Sequence, residues 1–190
     1  MIDFSKPFRF RGTHAAYVQY LSTERGKKRE GGVNIFSRIM DAYMVSILVG
    51  LKYSRTSKSN EDIILATDIF GNIKEYEGKT IPTSDIPSET IHASQGLLNH
   101  IYRVVMLNEN VRGLSDEEKI ANAFKSDNNE EKLVQNLELM NSFARGGIEI
   151  LYDRFSNLSS ETAILQEQLA LFDEMNETLH NQKSTSMFED

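Results

Sequence analysis

The chain has 190 residues, 39% of them hydrophobic and 26% charged, with a formal net charge of −7 and no cysteine. That length supports one domain with a real core, and no window approaches the ~20 consecutive apolar residues of a membrane span. The lack of cysteine excludes a disulfide frame, thiolate chemistry and the usual zinc knuckles; with an N-terminus unlike a secretory signal, it leads us to expect a cytoplasmic protein.

The charge is unevenly spread. Residues 1–58 hold eleven Lys+Arg against four Asp+Glu, and residues 59–190 hold ten against twenty-four. Such a split suggests separate surfaces for two kinds of partner, or a basic third that docks on an acidic surface.

In chain order, residues 1–33 read as a basic N-terminal segment. "FRFRG" (Phe8 to Gly12) alternates aromatic and basic residues, Thr13 is a candidate N-cap for a short amphipathic helix, and "ERGKKREGG" (Glu24 to Gly32) reads as a solvated loop. Lys6, Arg9, Arg11, Arg25, Lys27, Lys28 and Arg29 are candidate contacts to nucleic acid or to an acidic partner, with Phe8 and Phe10 as stacking faces. The alternative is that the phenylalanines anchor the terminus to the core while the arginines face water.

Residues 34–181 read as a helical domain. From Asn34, a good N-cap, the run to Arg55 is apolar on nearly every face, which predicts a central helix surrounded by other elements. Residues 62–81 are rich in β-branched residues around the turn signal Gly71-Asn72 and predict a hairpin flap. The proline-containing stretch "PTSDIPS" (Pro82 to Ser88) then separates the flap from an all-helical remainder. Helices are expected from Ser88 to Leu107, after Ser115 with Glu118 at capping-box spacing, from Glu130 to Ser156, and from a cap at Ser159 to about Asn181. Residues 182–190 read as a disordered tail.

Gly146 and Gly147 interrupt a strongly helical run. The apolar positions Leu133, Leu137, Met140, Ala144, Ile148, Leu151 and Phe155 pass through them without a phase slip, which predicts one continuous helix. Two interior glycines cost ~1 kcal/mol each relative to alanine, and close approach of a second helix is the economical compensation. Gly50, Ala144, Gly146 and Gly147 are therefore expected at a helix contact, with the helix after Asn34 as the partner. A phosphate cradle would need the glycine N–H groups at a helix N-terminus, not mid-helix.

Few residues suggest chemistry. Asp68, Glu77 and Lys79 have the Asp…Glu-x-Lys order of magnesium-dependent nucleases, in which two carboxylates hold the metal and a lysine activates water. Charged residues on an exposed hairpin give the same pattern. His92 and His100 lie eight residues apart and do not form a ligand pair, and nothing in the sequence converges on His14. Arg38 and Asp41 read as a structural ion pair on the polar edge of their helix. No nucleophile elbow or phosphate-binding P-loop is present, and no cofactor or metal site is expected.

The stretches "NIFSRIMDAYMVSILVGLKYSR" (Asn34 to Arg55) and "NSFARGGIEILYDRF" (Asn141 to Phe155), with "IYRVVMLNE" and "LSDEEKIANAF" between them, resemble small helical accessory proteins encoded beside bacterial phage-defence genes, of the DNA phosphorothioation-associated type. That pattern has a central apolar helix ending in a Gly-aliphatic-Lys/Arg turn and a late Gly-Gly-aliphatic-Glu helix. The resemblance covers roughly residues 34–156 and excludes the basic segment and the flap. It implies a non-catalytic adaptor subunit of a defence complex whose ATPase or nuclease is another chain; its pattern is one of packing positions and carries no catalytic residues.

The expectation is therefore a mainly α helical bundle around a central apolar helix, with a small β-hairpin flap. It would act through protein–protein contacts, with its last helix closing the bundle or serving as an interface. The alternatives from other classes are a small magnesium-dependent nuclease and a DNA-binding module using the basic segment.

Overall fold

A computed structural model describes residues 4, 8–23, 32–59, 65–67, 73–75, 83–86, 88–124 and 130–185. Among them the chain is mostly helical, with two small antiparallel sheets of two strands each. In order these elements are β1 (Phe8–Arg11), α1 (Gly12–Leu21), α2 (Ile39–Lys52), β2 (Leu65–Thr67), β3 (Ile73–Glu75), β4 (Thr83–Ile86), α3 (Ser88–Ala93), α4 (Gln95–Asn108), α5 (Asp116–Phe124), α6 (Glu130–Phe155) and α7 (Glu161–Thr185). The expected hairpin is the β2–β3 pair, with Leu65 opposite Glu75.

The centre of the fold is the packing of α2 against α6, which α1 and α4 flank. Helix α6 runs unbroken through Gly146 and Gly147. Its buried face carries Met140, Phe143, Ala144, Gly147, Ile148, Leu151 and Phe155, which meet Met40, Tyr43, Ile47 and Val49 of α2 in one apolar core. The glycines let the two backbones touch. A Cβ on Gly147 would stand 1.8 Å from the Ser46 carbonyl oxygen, and one on Gly50 would stand 2.1 Å from that of Phe143. Gly146 takes a different neighbour, because its Cβ would stand 2.1 Å from the Arg55 carbonyl oxygen.

The N-terminal third departs from the expected segment. "FRFR" is strand β1, paired in register with β4 so that Phe8 faces Ile86 and Arg9 faces Asp85. The partner strand lies within the stretch expected to be a linker. Phe10 is buried and Phe8 packs on both Phe10 and Tyr43 at ring distances of 4.8 and 4.6 Å. Ala15, Val18 and Leu21 of α1 join the same core. Residues 8–23 are thus part of the main domain, and the boundary drawn at residue 33 does not separate them from it.

Several helix ends also differ. Thr13 is buried inside α1 and does not cap it, since α1 begins at Gly12 with φ of +56°. Asn34 has φ of +57° and does not start α2. Residues 34–36 instead bond back to the end of α1: Phe36 N–H donates to Leu21 O at 2.9 Å and Thr23 N–H to Phe36 O at 2.8 Å. Those bonds draw the backbone away from the helix, which starts only at Ile39. The helix expected over 88–107 divides at Ser94 into α3 and α4. Ser160, not Ser159, caps α7, accepting the Ala163 N–H at 3.1 Å, and α7 continues to Thr185 through residues expected in the tail. The capping box on α5 forms as its spacing predicts: Ser115 N–H donates to Glu118 Oε2 at 2.9 Å and Glu118 N–H to Ser115 Oγ at 3.3 Å.

A methyl group tests the crossing directly. Gly147→Ala should destabilise the fold by at least ~3 kcal/mol, because its obstacles are backbone atoms of a packed helix. Gly96→Ala, in α4 with nothing within 4 Å of the added carbon, should be neutral or stabilising by up to ~1 kcal/mol. Urea unfolding midpoints of the two variants decide the matter.

Candidate functional site

Helix α2 ends in a Schellman turn. Ser54 is left-handed with φ of +51°, its N–H donates to Leu51 O at 3.0 Å, and Arg55 N–H donates to Gly50 O at 2.8 Å. This turn lays residues 55–57 across α6 at Gly146. The crossing is then fastened by polar groups: Ser57 N–H donates to Ser142 O at 3.0 Å, and Arg145 Nε donates to Ser57 O at 2.8 Å. Arg145 also pairs with Glu138.

Glu149, one turn beyond Arg145, completes the cluster. Its Oε2 accepts from Arg55 Nε and Nη2 at 3.2 and 3.0 Å, and its Oε1 lies 2.9 Å from His14 Nε2. Burial acts to raise the Glu149 pKa, but hydrogen bonds from His14, Ser57 and Arg55 outweigh it and hold the group at about 2. An ionised carboxylate only accepts, so His14 Nε2 carries the proton in this bond. Tyr17 stacks on Tyr152 with ring centroids 4.0 Å apart, and burial, with Tyr152, Asp153 and Glu149 beside it, pushes its phenol up to about 12.

The cluster is enclosed at its His14 end and open at the other, where the Arg55 and Glu149 side chains are 61% and 20% exposed. The His14 side chain is 1% exposed, and neither its Nδ1 nor the neighbouring Thr13 Oγ1 has a hydrogen-bond partner among the described residues. The arrangement ties α1, the end of α2 and α6 together. Sequence reading missed it, although a carboxylate next to Ile148 in a buried helix face is a signal that a partner must exist.

The other candidates are dispersed. Arg9 forms a two-pronged pair with Asp85 across β1 and β4, at 2.5 and 2.9 Å, and Arg11 is exposed beside it. Lys6, Arg25, Lys27, Lys28 and Arg29 lie outside the described residues, as do Asp68, Glu77 and Lys79 of the nuclease pattern. His92 and His100 are exposed on α3 and α4. Arg38 pairs with Asp41 at 2.5 Å on the surface. Among the described residues, no three His, Asp or Glu side chains are grouped so as to hold a metal.

A second polar group holds α7 to the body. Arg154, in the last turn of α6, pairs with Glu167 and, at 2.8 and 2.9 Å, with Glu174, whose carboxylate also accepts from Tyr53. The hydrogen bonds from Arg154 and Tyr53 bring the Glu174 pKa down to about 2. Ile164, Leu171 and Met175 pack inward, whereas Leu165, Leu169 and Phe172 are 56%, 55% and 63% exposed. Apolar side chains are also exposed at helical spacing on α4 (Leu97, Val104) and on α5 (Ile120, Phe124).

Glu149 and Glu174 give the acid response a definite sign. Both carboxyls are depressed in the fold, so their stabilisation is complete above the ordinary pKa of 4.5 and is lost as pH falls towards about 2. Glu149→Gln should cost about 1–3 kcal/mol at neutral pH and flatten the fall in urea midpoint between pH 5 and 2, read as a pH series. Glu149→Gln with Glu174→Gln should flatten it further.

Comparison with protein families, with curated proteins and with solved structures returns no match to this chain.

Proposed function

We propose that this chain is a non-catalytic adaptor in a multi-protein bacterial anti-phage assembly, contacting chains that supply the ATPase or nuclease chemistry. The defence context comes from the resemblance over roughly residues 34–156. The observation that carries the adaptor reading is the set of large apolar side chains left exposed at helical spacing on α4 and α5. Leu97 and Val104 lie two turns apart on α4, and Ile120 and Phe124 one turn apart on α5. Exposed apolar residues are ordinary when scattered; ordered along the faces of two packed helices, they have the form of a docking surface. Arg103 lies 5.4 Å above the Phe124 ring and holds that ring at the surface.

The polar clusters support the same reading. His14 and Glu149, whose types would suit catalysis, are bonded to each other, with His14 enclosed in the fold and Glu149 also held by Arg55. At β1, Phe8 and Phe10 pack inward and Arg9 engages Asp85, which leaves these residues less suited to stacking on bases or gripping phosphate.

Ile120→Asp with Phe124→Asp, expressed with the neighbouring genes of the native locus, should lose co-purifying subunits and phage protection by ~30-fold or more, while the melting temperature holds. Glu77→Ala with Lys79→Ala should leave protection intact. The reverse pattern would point to a metal-dependent nuclease built on Asp68, Glu77 and Lys79.

A further inference from the structure

The outward face of α7 has a regular spacing of its own. Thr162, Leu165, Leu169, Phe172 and Asn176 follow one another by three, four, three and four residues, and the sequence continues the pattern to Leu179. The first four are exposed and Asn176 is half-buried. At about 100° per residue this stripe lies roughly 120° around the helix from the side occupied by Ile164, Leu171 and Met175. Helix α7 therefore has one apolar face for its own body and a second, with a seven-residue repeat, directed away from it. An apolar stripe of mean spacing 3.5 is the seam of a coiled coil.

The residues beside the seam identify the occupant. In a parallel pairing of α7 with its own copy, Glu161 stands across from Gln166, and Gln168 from Asp173. Each carboxylate meets an amide. Glu167 and Glu174 point to the body, where Arg154 binds them, and Glu177 lies off the seam. An acidic helix thus brings no like charges together across this seam. A basic partner helix would call for carboxylates where Gln166 and Gln168 stand.

Asn176 sets the direction. In a parallel, in-register pair the two Asn176 amides face each other and satisfy one another. An antiparallel alignment that matches Leu169 with Phe172 places Asn176 against Leu165 and leaves its amide without a partner. We infer that α7 pairs with α7 of a second copy as a parallel two-stranded coil along Leu165, Leu169, Phe172 and Asn176. This pairing adds to the adaptor reading and does not depend on it, since it uses α7 and leaves the α4–α5 face free.

The chain contains no cysteine, so one introduced thiol reports the geometry cleanly. The purified full-length protein should sediment at twice the chain mass at tens of micromolar. Leu169→Asp should weaken the dimer by at least ~30-fold, to a monomer with an unchanged near-UV spectrum, because the substituted side chain is exposed in the single copy. Leu165→Cys should give a disulfide-linked dimer on mild oxidation. A wild-type monomer, or a dimer that survives Leu169→Asp, overturns the inference while leaving the α4–α5 test unaffected. A dimer lost in Leu169→Asp that does not cross-link in Leu165→Cys overturns the parallel arrangement.

Discussion

The backbone contact between α2 and α6 sets the rest of this structure. Side chains usually keep helix axes 8–10 Å apart; here Gly50 and Gly147 remove the side chains from both surfaces at the same place, so that Ser46 and Phe143 carbonyl oxygens occupy the space of the missing Cβ atoms. Once the helices lie that close, the chain leaving α2 has to pass directly over α6. Gly146 accommodates it, and the Schellman turn at Ser54 aims it. Arg145 and Glu149, one turn apart, then grip it from both sides.

The polar cluster follows from that geometry. Glu149 is fixed beside Arg55 by the crossing and reaches His14 on α1, so one carboxylate links three elements. Its low pKa reflects the strength of its partners and is a property of the fold. His14 and Glu149 thus help hold the body together, and among the described residues large apolar side chains stay exposed on α4, α5 and α7. Helix α7 differs from the core helices in its attachment, since its contacts to α6 are few and the Arg154–Glu174 group supplies much of the link. A helix held in this way can present a second face outward.

The central part of this arrangement was legible because it depends on periodicity. The apolar phase running through Gly146 and Gly147 specifies an unbroken helix, and local capping chemistry at Ser115 and Glu118 specifies where α5 starts. The N-terminal third was not legible, because its structure depends on partners distant in sequence. Nothing near Phe8 reveals that Thr83–Ile86 will pair with it. Asn34 has the composition of a cap, yet its neighbours are claimed by the end of α1. The His14–Glu149 bond, spanning 135 positions, has the same origin. The exposed faces of α4 and α5 likewise could not be separated from buried ones until the helices were placed.

The α2–α6 crossing should be the part of the molecule that opens last. Native-state hydrogen exchange measures this directly at the amides of residues 47–50 and 144–148. They should exchange only through global unfolding, with an opening free energy equal to that from urea denaturation. Exchange of these amides through a smaller, local opening, ahead of the rest of the core, would contradict the central role given to the glycine contact.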